Sequence, residues 1–431
     1  MAHFAVVAPA LYSHFNSLSV LALELIERGH RVTFVHRPDA SVYVRDERIG
    51  FHAVGHDTHP PGSLAESLER AANPGSPMGL RRVILDMAAS TAMLCRELPG
   101  ALDALQVDYL IADQMEAAGG LVAEGVKMPF ISVACALPVN REAAIPLPVM
   151  PFGYDDSERG RKMVEGSTMV YDWMMRAHGR VIEEQARKFG LSPRAHLHEC
   201  LSPLAQISQT VAGFDFPRRA LPAHFHHVGP LNAGTAPGAA HPRLPPIDPD
   251  RPFVFASLGT LQGQRYGLFR RIAHACRQLN VQLLIAHCGG LDERQARALE
   301  RIGSTRVCGF VAQLEVLERA DAIVSHAGSN TVMEAIAART PILALPVAFD
   351  QPGAAARIEY AGIGLRASAR LSSTSRIRDG VRRLLGEPQF AQRMAPLADE
   401  IRQAGGAPRA ADIIERVLDL EQTAQALASH G

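Results

Sequence analysis

Residues 309–351 read GFVAQLEVLERADAIVSHAGSNTVMEAIAARTPILALPVAFDQ and leave this chain few folds to adopt. An apolar run, Ala322–Ser325, reads as a strand and stops at His326. Ala327-Gly328-Ser329-Asn330-Thr331 follows as a turn of small residues, from which a helix starts and places Glu334 one turn in. A second apolar run, 342–345, reads as a strand ending at Pro346, and Asp350-Gln351 comes next. Strand, helix and strand in such close succession predict a parallel sheet with a helical crossover. Sheets of that kind bind ligands beyond the carboxyl ends of their strands, where His326 falls.

The same pattern opens the chain. Residues 4–10 form an apolar run and 11–17 a loop. Leu18, Leu21, Leu25 and Ile26 then mark the apolar face of a helix ending at Gly29, and Arg31–His36 is the next strand. Strands at 109–112, stopping at Asp113, and at Phe130–Ala134 flank a helix over 115–126. A long helical region over 157–189 carries the only tryptophan, Trp173. Residues 231–251, LNAGTAPGAAHPRLPPIDPDR, are rich in Pro, Gly and Ala without periodicity and read as a linker. A second β-α series starts after Pro252 and runs to about residue 385, followed by a helical tail. The expected fold class is α/β, with two doubly wound, Rossmann-like domains facing across a cleft. Their expected bounds are 1–230 and 252–405, with the linker at 231–251 and a terminal helix within 406–431. No internal sequence repeat is evident.

Lys plus Arg and Asp plus Glu both number 44, so no net field draws the chain to nucleic acid. No apolar run reaches the about 20 residues of a membrane span. The opening MAHFAVVAPA enters a strand without a positive leader, so no signal peptide is expected. The six cysteines, at 95, 135, 200, 276, 288 and 308, form no C-x-x-C pair and suit free thiols in a reducing cytoplasm.

The chemistry of residues 309–351 is that of an anion site. A helix N-terminus offers unpaired N–H groups and the positive end of the helix dipole. Gly328 lets the backbone approach an anion with no Cβ in the way. Ser329, Asn330 and Thr331 add side-chain donors and can cap the helix. Glu334, four residues after Asn330, shares its helix face and can accept from a pair of hydroxyls, as on a ribose. Asp350 and Gln351 suit the hydroxyls of a sugar. Together these groups fit a nucleotide diphosphate that bears a neutral polyol.

The order Phe310…Gln313, His326-x-Gly328-x-Asn330-Thr331-x-x-Glu334, Pro341…Pro346, Asp350-Gln351 resembles the nucleotide-sugar signature of the family 1 glycosyltransferases, the UDP-glycosyltransferases. The resemblance implies that His326, Gly328, Ser329 and Asn330, with Thr331 in the same motif, hold the diphosphate. It implies that Glu334 holds the ribose, Gln313 the nucleoside, and Asp350 and Gln351 the sugar. Phe310 stands where the family has the Trp on which uracil stacks, and Ala312 where it has Pro. Ser257-Leu258-Gly259-Thr260 resembles the family's S-x-G-[ST] turn, which touches the phosphates. The likeness covers nearly the whole chain and implies the GT-B architecture, with the last helix crossing back onto the first domain. It also implies inversion at the sugar, giving a β-glycoside.

Glycosyl transfer to an alcohol needs a base for the alcohol proton, and histidine is the usual one. His14 is expected in the loop after the first strand, and Asp113 at the end of a neighbouring parallel strand. In a doubly wound sheet those ends meet at the switch point, where the carboxylate can fix the imidazole tautomer. The resemblance implies the same pair. The turn at Ser257, Gly259 and Thr260 and the helix after Gly328 would meet the departing diphosphate without a metal. The only D-x-D, Asp248-Pro249-Asp250, lies among prolines in the linker, so no metal and no cofactor beyond the UDP-glucose co-substrate is expected. His224-Phe225-His226-His227 has no nearby Cys or carboxylate to complete a metal set. His52, His56 and His59 are expected at the surface.

An apolar, proline-stiffened segment with Ile145, Leu147, Met150 and Phe152 is expected to line the acceptor site. Methionines at 87, 93, 115, 150, 163, 169, 174 and 175 also favour a lipophilic alcohol. The segments DQMEAAG, FISVACALPVNRE, SPLAQISQ, FASLGTLQGQRYGLF and LPVAFDQPG are similar to a bacterial branch of the family that glucosylates the ring hydroxyls of carotenoids. The resemblance implies zeaxanthin as acceptor, a cytoplasmic protein in peripheral contact with the inner face of the cell membrane through 145–152, and association with other enzymes of carotenoid synthesis. The competing readings are a transferase for a macrolide, flavonoid or sterol, a non-catalytic nucleotide-sugar binder, and a UDP-sugar epimerase. The paired His14 and Asp113 argue against the binder, and an apolar acceptor pocket against the epimerase.

Overall fold

The structure, a computed structural model, describes residues 1–231 and 246–428, with side chains to residue 419. Residues 232–245, the greater part of the expected linker, lie outside the described residues.

Two parallel sheets organise the chain. The first has seven strands, β1 (His3–Val7), β2 (Arg31–His36), β3 (Gly50–Ala53), β4 (Tyr109–Asp113), β5 (Phe130–Ala134), β6 (Gln206–Ser208) and β7 (Phe225–His227). The second has six, β8 (Phe253–Ser257), β9 (Gln282–Ala286), β10 (Ser304–Cys308), β11 (Ala322–Ser325), β12 (Ile342–Ala344) and β13 (Gly364–Arg366). The strand orders are β3-β2-β1-β4-β5-β6-β7 and β10-β9-β8-β11-β12-β13. One winding is therefore used twice, although no sequence repeat announces it. In each sheet the strand order reverses beside the strand that opens the unit, β1 or β8. This leaves a crevice at the carboxyl ends of β1/β4 and of β8/β11.

Each sheet is buried on both faces, which is why its strands are apolar runs rather than alternating ones. On one face of the first sheet Phe4, Val6 and Ile131 pack with Phe15, Leu18, Leu21 and Leu25 of the helix Tyr12–Glu27. On the other, Ala5, Val7 and Leu110 meet Leu94 and Leu98 of the helix Pro77–Leu105 and Leu121 of the helix Ala117–Gly125. The second sheet is sandwiched likewise, with Phe269 and Ile272 on one side and Val332, Ile336 and Ile358 on the other. Each such buried Leu, Ile or Phe contributes roughly 1.5–3 kcal/mol.

The helix Tyr12–Glu27 begins earlier than the expected loop at 11–17 allows. His14, Phe15 and Ser17 are buried with Leu18, Leu21 and Leu25, so the inward stripe extends a further turn. Phe15 holds that turn down, its ring centroid 5.0 Å from that of Phe34. His14 is thus a first-turn helix residue and not a loop residue.

The helix Gly406–Ala428 lies against the first domain. Its Ala410, Ala411, Ile413, Ile414 and Leu418 share a core with Leu18, Leu21 and Leu25. Arg28 donates to Asp412 at 2.8 Å and to Glu415 at 2.7 Å, and His30 meets Glu415 at 3.0 Å. Among the other histidines, His56 is exposed, whereas His59 is buried against the expectation for its Gly- and Pro-rich loop.

Candidate active site

His14 and Asp113 meet at the first crevice. β1 and β4 are paired in parallel, with Val7 opposite Ala112, so the helix after β1 starts beside the end of β4. His14 Nδ1 lies 2.7 Å from Asp113 Oδ2. The other carboxylate oxygen accepts from the N–H of Met115 at 2.8 Å, which fixes the carboxylate plane. Burial opposes a charge on His14, but Asp113, with a smaller effect from Asp350, raises its pKa above the usual 6.5. With Nδ1–H donated to Asp113, the Nε2 lone pair is the free basic atom.

His326, Gly328, Gly259 and Ser257 gather at the second crevice, where Ser257 at the end of β8 pairs with Ser325 of β11. The imidazole of His326 lies between two glycines. A Cβ on Gly259 would fall 2.7 Å from His326 Nε2, and one on Gly328 would fall 2.5 Å from it. Gly259 also has φ +70°, a conformation that side chains disfavour. Burial lowers the His326 pKa to about 4, against a hydrogen bond from its ring to the Ser257 backbone that raises it. At neutral pH this imidazole is an uncharged hydrogen-bonding group. Positive potential at the crevice comes instead from the start of the helix Ser329–Ala337, which Gly328 caps with no side-chain hydrogen bond. Thr260 is exposed in the short helix Gly259–Gln262, beside this turn.

Gln313 and Glu334 touch. The Gln313 amide donates to Glu334 Oε2 at 2.5 Å and to Thr331 Oγ1 at 3.2 Å. Phe310, three residues before Gln313, is 44% exposed, with its ring near Gly289. An aromatic ring left open beside a carboxylate–amide pair can take a base and a ribose side by side.

The hydroxyl of Ser329 donates to Asp350 Oδ2 at 2.8 Å, so its side chain orients that carboxylate. Asp350 precedes the helix Gln351–Ala361 but makes no side-chain cap to it. It accepts instead across the cleft from the N–H of Leu137 at 3.4 Å. Gln351 Oε1 accepts from the N–H groups of Val347 and Ala348, at 2.8 and 2.9 Å, and closes that turn.

Asn330 carries the closest polar link between the crevices. Its amide donates to Ser17 Oγ at 3.1 Å, and its Oδ1 accepts from Gln209 Nε2 at 2.6 Å. Gln209 also donates to the carbonyl of Cys135. The two sets of strand ends therefore face each other. Farther along the interface, Arg357 Nε lies 2.6 Å from Asp215 Oδ1, with both side chains buried.

The segment with Ile145, Leu147, Met150 and Phe152 is placed differently from the expectation. Ile145 and Leu147 are 3% and 7% exposed, and Met150 and Phe152 are partly covered. Ile145 packs on Phe216 and Ala356, the carbonyl of Pro148 accepts from Gly353 N at 3.0 Å, and that of Pro151 from Arg366. Ile145 and the carbonyls of Pro148 and Pro151 tie the segment to the second domain, and the buried Ile145 and Leu147 present no surface to a membrane. The open apolar positions are elsewhere, in a groove of about 1530 Å³ lined by Met78, Leu80, Ile84, Trp173 and Met174 and reaching Val347 and Ala348.

Sequence reasoning missed Ser17, Gln209 and Cys135. Ser17 had a signal, since it stands three residues after His14 and so on its helix face. Gln209 had none. Among the described residues, His14, Asp113 and Cys135 are the one trio with possible metal-ligating atoms within 4.8 Å of one another. Burial, with Asp113 beside it, holds the Cys135 thiol well above its ordinary pKa of 9.0. It is thus a protonated donor to Asp113, and it accompanies the carboxylate rather than preparing a cation site.

Two doubly wound sheets, their ligand-bearing strand ends opposed across a cleft, define a GT-B glycosyltransferase. The chain belongs to the family described as UDP-glucoronosyl and UDP-glucosyl transferase, whose sequence pattern it matches over residues 4–399. It is 52% identical to a zeaxanthin glucosyltransferase of Pantoea ananas, over 97% of this chain and 96% of that one. It is 46% identical to a zeaxanthin glucosyltransferase of Pseudescherichia vulneris, over 97% and 98% of the two chains. Among solved structures, the calicheamicin glycosyltransferase CalG4 superposes with a TM-score of 0.71 at 20% identity, covering 97% of this chain and 98% of its own.

Proposed function

We propose that the protein is an inverting, metal-independent glucosyltransferase that moves glucose from UDP-glucose to the ring hydroxyls of zeaxanthin, giving mono- and di-β-glucosides. The observation that carries the chemistry is the 2.7 Å contact of His14 with Asp113, facing the crevice at His326 across the cleft. The acceptor rests on full-length likeness to two zeaxanthin glucosyltransferases.

In this reading His14 Nε2 takes the proton of the acceptor hydroxyl as its oxygen attacks the anomeric carbon. Asp113 stabilises the imidazolium that forms. The bond from the anomeric carbon to the diphosphate oxygen breaks, and its electron pair leaves with UDP. Backbone N–H groups at Ser329, Asn330 and Thr331, with His326 and the turn at Ser257, Gly259 and Thr260, receive that charge. Glu334 and Gln313 hold the nucleoside over Phe310. Asp350 and the Gln351 amide hold the glucose. The pigment lies along the groove past Ile84 and Trp173 rather than against Ile145 and Leu147.

The domain bounds that suit this reading are 1–230 and 252–405, with the helix from 406 belonging to the first domain. No helix among the described residues is long and apolar enough to cross a membrane. A cytoplasmic protein in peripheral membrane contact, near other enzymes of carotenoid synthesis, fits so apolar an acceptor.

Incubation with UDP-glucose and detergent-solubilised zeaxanthin, followed by mass spectrometry, tests the proposal. Polar pigments heavier by one or two hexoses are expected, with no loss of rate in a chelator. UDP-glucose binding with the pigment untouched would sink the acceptor assignment and leave the donor site standing.

A further inference from the structure

The groove between the domains has a charge that the composition conceals. Six arginines line it, Arg81, Arg176, Arg180, Arg265, Arg271 and Arg370, and no aspartate or glutamate does. The whole chain balances 44 basic against 44 acidic residues, so this is local segregation. None of the six is in an ion pair among the described residues. Of the acids on the same helices as Arg81 and Arg176, Asp86 lies 2.7 Å from Arg70, and Asp172 lies 2.6 Å from Arg141.

The lips of the groove are apolar and face water. On the helix Glu158–Lys188, Met169, Val170 and Trp173 are 67%, 56% and 64% exposed. Met163 precedes them on the same helix, and the spacing 163, 170, 173 keeps one face outward. Met78 and Leu80 begin the neighbouring helix on the same side, 59% and 37% exposed. Leu371, 82% exposed, follows Arg370 on the opposite wall. The Arg176 guanidinium lies 4.6 Å from the centre of the Trp173 ring, so cation and aromatic form one surface. An apolar face of that kind, bordered by arginines, is what a lipid interface accepts. Tryptophan and methionine enter the headgroup region, and arginines take the phosphates. A water-exposed face with no such partner would be a liability.

We infer that this lip docks the protein on an anionic lipid bilayer, so that the groove opens onto the membrane and a lipophilic acceptor enters without crossing water. The inference rests on the reading of the acceptor as lipophilic. It places the contact on the helices starting at Pro77 and Glu158, and not on residues 145–152.

The test is co-sedimentation of the full chain with phosphatidylcholine vesicles, with and without phosphatidylglycerol. Binding is expected only with the anionic lipid, and it should weaken as salt rises. The triple change Arg81→Gln, Arg176→Gln, Arg180→Gln should weaken binding by on the order of a hundredfold. Met169→Ser with Val170→Ser should weaken it roughly tenfold. These positions are exposed, and unchanged UDP affinity in each variant certifies its fold. No binding to anionic vesicles, or equal binding to both compositions, overturns the inference. So does self-association of the parent protein that the same changes abolish while vesicles stay unbound, since the face would then join two copies. Transfer to detergent-solubilised zeaxanthin without vesicle binding sinks the docking surface alone. Vesicle binding without transfer to any pigment sinks the acceptor assignment alone.

Discussion

Asn330 donates to Ser17 across 3.1 Å, although 313 residues separate them in the chain. One belongs to the phosphate-facing helix start and the other to the helix of His14, so this bond sets the two crevices against each other. A double-mutant cycle of Ser17→Ala and Asn330→Ala should give a coupling of about 1 kcal/mol in thermal unfolding. Additive effects would mean the two groups do not meet in solution. Asn330→Ala should lose more than Ser17→Ala, because it also abandons Gln209.

His14→Ala should reduce transfer by on the order of a hundredfold to ten-thousandfold. UDP affinity in calorimetry should be unchanged, since His14 lies in the other domain. Lost UDP binding in that variant would refute its role as base.

The pH profile reports the same pair. The pKa of His14 is raised above 6.5 by Asp113, and a base works only when unprotonated. The acid limb of kcat/KM should therefore fall at a pH above 6.5, with activity lost as pH drops through it. Asp113→Asn removes the stabilising charge, so the limb should move to lower pH while the plateau falls, by up to about ten-thousandfold. A limb that stays in place would detach Asp113 from the titration. Folding stability runs the opposite way. A histidine whose pKa is raised on folding contributes stability below its unfolded value and loses it as pH rises through the folded one.

Gly328→Ala inserts a methyl group that would lie 2.5 Å from His326 Nε2. The ring must turn or the helix start must move, at roughly 1–3 kcal/mol. UDP affinity should fall about tenfold or more, and a crystal structure of the variant should show His326 displaced. Unchanged affinity would mean that the ring position is irrelevant to the diphosphate.

Arg357→Ala should destabilise the protein by about 3 kcal/mol, because it strips a buried partner from Asp215. Against the cost of burial, Arg357 and Arg218 hold the Asp215 carboxylate below its usual 3.8. Its contribution is present above that value and is lost as pH falls through the depressed one. Urea midpoints of parent and variant should converge in acid.

His326, Gly328 and Glu334 were legible because one strand, one turn and one helix place them, and all three elements are local. Asp113 was legible because β4 must end beside β1 in a doubly wound sheet. Gln209 was not, since it reaches Asn330 only when two domains approach. Ile145 and Leu147 misled for a different reason. Apolar character says that a residue is covered, and it does not say whether a substrate or the partner domain covers it. The arginine groove was invisible because its members are spread from position 81 to position 370, and no run of the chain is basic.

The helix that positions His14 packs in one core with Ala410, Ile414 and Leu418. Residue 14 is made some four hundred positions before the residues that complete its helix. The nascent chain therefore carries its base unfinished until those residues emerge. A fragment cut at the domain linker would keep the histidine and lose the wall behind it.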